Sequence, residues 1–133
     1  MGAINNKYRL LETNVLLDRF LTYREVFSEH FKTMKVIERG EALRYETYSR
    51  LADNYISNVH RFIKLCEDYI EKYHLENSQL TDKLNDYLME VIDAISCLDT
   101  DHNVIDHSKL EKSKQKIHQK ELEFMNAIGL LAN

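Results

Sequence analysis

The sequence predicts an all-α protein, a helical bundle built on a long antiparallel helical hairpin, and three observations predict it. Proline is absent from all 133 residues, glycine occurs only at Gly2, Gly40 and Gly129, and apolar residues recur in steps of three and four along most of the chain. Proline in a helix interior removes a backbone donor and clashes with the preceding turn, and glycine weakens a helix, so their scarcity leaves long helical stretches uninterrupted. The length suits one hydrophobic core, and a single helical-bundle domain over residues 1–133 is the expectation.

Leu16, Phe20, Tyr23, Phe27, His30, Met34 and Ile37 alternate steps of four and three, a heptad seam in which only His30 is polar. They predict a first helix over about 7–38, with Leu17, Leu21 and Phe31 widening its apolar face beyond a two-stranded seam. Gly40 follows, where the left-handed conformation open to glycine ends a helix and lets the chain reverse. The pattern resumes with Tyr45, Tyr48, Ala52, Tyr55, Val59, Phe62, Cys66, Tyr69 and Tyr73, which predict a second helix over about 41–74. At about 1.5 Å per residue each arm of this hairpin is on the order of 50 Å long. Ser78 is a good N-cap, and Leu80, Leu84, Tyr87, Leu88, Val91, Ile95 and Leu98 mark a third helix over about 78–98. A polar linker follows, and Ser108 with Glu111 has the capping-box spacing that opens a fourth helix, about 106–130.

Composition narrows the function. Hydrophobic residues make up 44% and charged residues 30%, the balance of a folded chain, and the net charge of −4 argues against a general nucleic-acid binder, which needs a basic face. Cys66 and Cys97 are too few for a disulfide framework and fall in helical apolar seams, where a thiol behaves as a small hydrophobe. The stretch MGAINNKYRL has no apolar signal-peptide core, and no apolar run approaches the roughly 20 residues that span a bilayer, so a cytoplasmic protein with no membrane partner is the expectation.

Chemistry-bearing patterns are few. Asp99, Asp101 and Asn103 alternate as in the start of a calcium loop, but the glycine and bidentate glutamate such a loop needs are replaced by Val104 and Leu110. Glu71 and His74 have the Glu-x-x-His spacing of di-iron bundles, which require two copies, and the chain has one. No glycine-rich loop is present to cradle phosphate. Lys109, Lys112, Lys114, Lys116 and Lys120 make a local basic stretch, but Glu111, Glu121 and Glu123 share the helix and make the surface mixed. The sequence therefore points away from an enzyme and predicts no cofactor and no metal.

Arg24 and His30, with five residues between them, are spaced in a way that resembles the arginine and histidine of HEPN-type ribonucleases, small helical proteins of similar length. The resemblance implies a dimeric ribonuclease using Arg24 and His30 at a shared site. The family's motif usually carries a small polar residue after the arginine and lies late in the chain; here Glu25 follows and the pair lies near the start.

The remaining pattern is a tyrosine stripe. Tyr45, Tyr48, Tyr55, Tyr69 and Tyr73 recur along one seam of the second helix, and tyrosine combines apolar area with a hydroxyl that needs a partner, as at half-buried interfaces. These five are the candidate interface residues. The expected function is a non-catalytic protein-protein interaction module, acting through helical surfaces on another protein or on itself as a homodimer.

Overall fold

The first helix outruns the seam that predicts it: α1 covers Ala3–Glu38, 36 residues. The chain is described by a computed structural model over residues 3–41, 47–102 and 104–132. α1 ends in a paired-hydrogen-bond cap. The Gly40 N–H donates to the Ile37 carbonyl and the Glu41 N–H to the Val36 carbonyl, with Gly40 at φ 71°, the left-handed conformation its sequence position predicts.

The next helix, α2, is Tyr48–Lys72, and starts later than the expected 41. Thr47 is extended (φ −128°) and its hydroxyl oxygen accepts from the Arg50 N–H at 3.1 Å, which fixes the first turn there. Residues 42–46, Tyr45 among them, lie outside the described part of the chain. α2 ends as α1 does, with His74 N–H bonded to Glu71 O and Leu75 N–H to Ile70 O, but here His74 holds the left-handed position (φ 55°).

α3 spans Gln79–Asp93 and opens on Ser78, whose hydroxyl accepts from the Thr81 N–H at 3.3 Å and donates to the Leu75 carbonyl at 2.6 Å. It tightens into a 3-10 turn over Ala94–Cys97. The expected polar linker instead contains a two-stranded antiparallel ladder: β1 (Leu98–Asp99) and β2 (Val104–Ile105) pair Leu98 with Ile105 and Asp99 with Val104. Alternation explains it, since Leu98 and Ile105 turn into the core while Asp99 and Val104 face outward. α4 is His107–Ala132. Its N-cap is Asp106, whose carboxylate accepts from the Lys109 N–H at 3.1 Å, and not the Ser108 capping box.

The four helices run up, down, up and down. Thr13 meets Tyr69 and His30 meets Tyr55 across α1 and α2, while Phe31 lies beside Lys114 and Glu38 bonds His107 across α1 and α4. Each helix contributes one aromatic ring to a common knot: Phe20, Phe62, Tyr87 and Phe124 are all fully buried. Phe20 sits edge-on to Tyr87 at 5.4 Å and to Phe124 at 5.0 Å, and Tyr87 stacks on Phe124 at 6.1 Å. The buried residues of all four helices join this knot in one contiguous core. Among the described residues no helix is long and apolar enough to cross a membrane.

Candidate functional site

The tyrosine stripe turns inward. Tyr48, Tyr55 and Tyr69 are buried against the chain's own helices. The Tyr55 hydroxyl donates to the Val91 carbonyl of α3 at 2.7 Å, and the Tyr69 hydroxyl lies 2.5 Å from the Thr13 hydroxyl of α1. Burial pushes the Tyr55 phenol well above its ordinary range. Tyr73, at the C-cap, is half-buried, with its ring 5.0 Å from that of Tyr69 and the Lys72 ammonium 5.6 Å from its centre. Tyr48, Tyr55 and Tyr69 therefore form the inner seam of α2, and their surfaces are occupied within the single chain. An interface with a partner cannot rest on these three. Tyr45 lies outside the described residues.

Arg24 and His30 are not brought together. Six positions on an α-helix leave two side chains about 120° apart around its axis, and the two fall on different flanks of α1. His30 is 4% exposed beside α2, stacked on the Tyr55 ring at 4.1 Å, with neither ring nitrogen hydrogen-bonded. Burial lowers its pKa from 6.5 to about 4 and keeps it neutral near pH 7. Arg24 opens instead onto the α1–α4 side. The arrangement that the ribonuclease resemblance implies, an accessible histidine sharing a site with Arg24, is not what this chain builds.

The other polar patterns also resolve into structural roles. The Asp99 carboxylate accepts from the N–H groups of Asp101 and His102, at 3.2 and 3.0 Å, and contacts the His102 ring at 2.7 Å, so its oxygens close the turn. Asn103 lies outside the described residues. His74 terminates α2 and is exposed, as is Glu71. Among the described residues no three His, Cys, Asp or Glu side chains are grouped so that they could hold a metal ion.

Two surface features stand out among the described residues. The first is on the outer side of α1, where Tyr8, Leu11 and Val15 are 59%, 52% and 53% exposed, with Leu10 beside them at 42%. Residues 8, 11 and 15 share one helical face, so this is a stripe and not scattered exposure. Val15 continues into a shallow apolar hollow with Leu16, Leu65 and Tyr69.

The second is a groove of about 580 Å³ between α1 and α4. Phe27, Phe31 and Ile117 form its floor, and Arg24, Lys32, Lys35 and Lys114 stand around it with Glu25, His118 and Glu121. The Lys114 ammonium lies 5.7 Å from the centre of the Phe31 ring and 3.8 Å from Glu111. Burial and the neighbouring Lys35 lower its pKa. At the other end burial raises the Glu121 pKa against the opposing pull of Arg24 and His118, and Arg24 donates to the Met125 sulfur at 3.6 Å. Sequence reasoning missed Lys32, Lys35, His118 and Glu121. The signal was present: Arg24, Ser28, Phe31 and Lys35 run in steps of four, three and four, a second seam beside the apolar one, matched on α4 by Lys114, Ile117, His118 and Glu121. Of the five lysines of the expected basic stretch, only Lys114 lines the groove.

Fold and surface together define a small up-and-down helical bundle with an exposed apolar face on α1 and a cation-lined groove between α1 and α4. No protein-family model, curated protein or solved structure matches the chain.

Proposed function

We propose that this chain is a non-catalytic protein-protein interaction module, a small regulator, adaptor, inhibitor or immunity-type protein that presents helical surface to another protein or to a second copy of itself. The observation that carries the reading is the apolar stripe of Tyr8, Leu11 and Val15, each more than half exposed at helical spacing on α1. Contiguous apolar surface on a helix is costly in water and becomes favourable when a partner covers it, at about 25 cal/mol per Å². Helix-on-helix docking with anchors at i, i+3 and i+7 is a recurrent mode of recognition. A cytoplasmic setting fits the two cysteines, which are unpaired and buried, with burial pushing the Cys66 thiol up to about 12 and so suppressing the reactive thiolate.

The test is a paired affinity capture from host lysate with the tagged wild type and with Leu11→Glu combined with Val15→Glu, followed by mass spectrometry and light scattering of the eluates. Both substituted positions are exposed, so the variant is expected to melt as the wild type does. The wild type should retain one protein at near-equal amount or elute as a dimer, and the variant should lose it. A wild type that elutes bare and monomeric contradicts the module reading; a partner held equally by the variant removes the Tyr8 face from it.

A further inference from the structure

We propose that the groove between α1 and α4 is a docking site for an acidic amphipathic helix of a partner protein, with apolar side chains over Phe31 and Ile117 and carboxylates reaching Lys35 and Lys114. The proposal rests on the interaction-module reading and names the chemistry of the partner. Three observations carry it.

The first is size and shape. From Arg24 to Lys35 the groove follows three turns of α1, about 16 Å, a match to a short helix and longer than a single small anion needs. The second is its chemistry: an apolar floor of Phe27, Phe31 and Ile117 beneath a rim of cations, the inverse of a helix with leucines on one face and glutamates along its flanks.

The third is charge. In a chain of net charge −4, four cations and two carboxylates converge here. Among the described residues neither Arg24 nor Lys35 forms an ion pair. Lys35 and Lys114 face each other from opposite walls, and Lys35 lies close enough to disfavour the charge on Lys114. A carboxylate between two such ammonium groups relieves that repulsion and gains charge-assisted hydrogen bonds. The opposite end distinguishes a peptide from nucleic acid. Glu25 and Glu121 stand beside Arg24, which would repel a phosphate chain running along the groove, whereas a peptide places carboxylates only where cations meet them.

The probe is a labelled, capped peptide of about 15 residues, helical in design, with leucines on one face and glutamates on its flanks, read by fluorescence anisotropy. A matched peptide with lysine for every glutamate and a single-stranded oligonucleotide of similar length are the comparisons. The glutamate peptide should bind the wild type, roughly tenfold or more weakly to Lys35→Glu with Lys114→Glu, and weakly again to the milder Lys35→Gln with Lys114→Gln. The lysine peptide should show the reverse preference for the charge-reversed chain. Failure of the glutamate peptide to bind, binding insensitive to both double variants, or an oligonucleotide that binds in its place and is lost with the same substitutions each overturns the proposal. Failure of the glutamate peptide overturns the groove alone, because the module reading is tested separately by the Leu11→Glu, Val15→Glu capture.

Discussion

Replacing His30 by phenylalanine should make the protein more stable and remove a component of its sensitivity to acid. His30 is 4% exposed, stacks on Tyr55 at 4.1 Å and has no hydrogen-bond partner at either nitrogen. A buried polar group left unpaired costs about 1–3 kcal/mol, so a ring of similar shape without nitrogens should gain on the order of 1–2 kcal/mol at pH 7. The pH dependence follows from burial, the one cause of the lowered pKa. In the unfolded chain His30 takes up a proton near pH 6.5, whereas in the fold it does so only near pH 4. Between these values the unfolded state binds more protons. The stability that neutral His30 permits is therefore complete above pH 6.5 and is lost as pH falls toward 4. Each pH unit of that interval is worth about 1.4 kcal/mol, about 3 kcal/mol in all. Glu29 and Tyr55 are the ionisable groups lining the same hollow, and both are retained in the variant. Urea denaturation of wild type and His30→Phe at half-unit steps from pH 7.5 to 4 measures the difference directly. The curves should diverge as pH falls, with the variant above throughout. Parallel curves, or a variant less stable at every pH, would refute the reasoning.

Other substitutions probe other parts of the account. Phe20→Ala empties the centre of the aromatic knot and should cost about 3–5 kcal/mol in the same denaturation assay; a loss under 1 kcal/mol would mean that the four rings do not share one core. His74 holds a left-handed position natural to glycine, so His74→Gly should stabilise by about 0.5–1 kcal/mol, whereas Gly40→Ala, whose added Cβ meets nothing within 4 Å, should cost about 1 kcal/mol from backbone strain alone. Asp106→Ala removes the cap of α4 and should lower stability by about 1 kcal/mol, while Ser108→Ala should change it by a few tenths at most; equal effects would return the cap to Ser108.

The seams of α1 and α2 were legible because a period of three and four reports which side of a helix is apolar, and Gly40 was legible because its conformation follows from its missing Cβ. Periodicity does not report what covers that side. Tyr55 and Tyr69 satisfy the same spacing whether their hydroxyls meet a second subunit or, as here, Val91 and Thr13 of the same chain. The ladder between Leu98 and Ile105 was hidden because each strand contributes only two residues, too few for alternation to stand out from a polar loop. The groove was hidden for a different reason. Lys35 and Lys114 are 79 residues apart, and they become neighbours only once α4 packs antiparallel beside α1. The exposed stripe at Tyr8, Leu11 and Val15 lies outside the seam that the sequence singles out, and sequence alone cannot say that α2 covers the adjacent face and leaves this one open.

The central claim is that the protein works through the apolar face of α1, and side-chain footprinting by hydroxyl radicals tests it most directly. The chain would be labelled alone and in its captured complex or at dimer-forming concentration, with Met89, 69% exposed on α3, as the internal reference. The account predicts that labelling at Tyr8, Leu11 and Val15 falls on association while Met89 labels as before. Unchanged labelling at all three, with protection confined to Met89 and its surroundings, would contradict it.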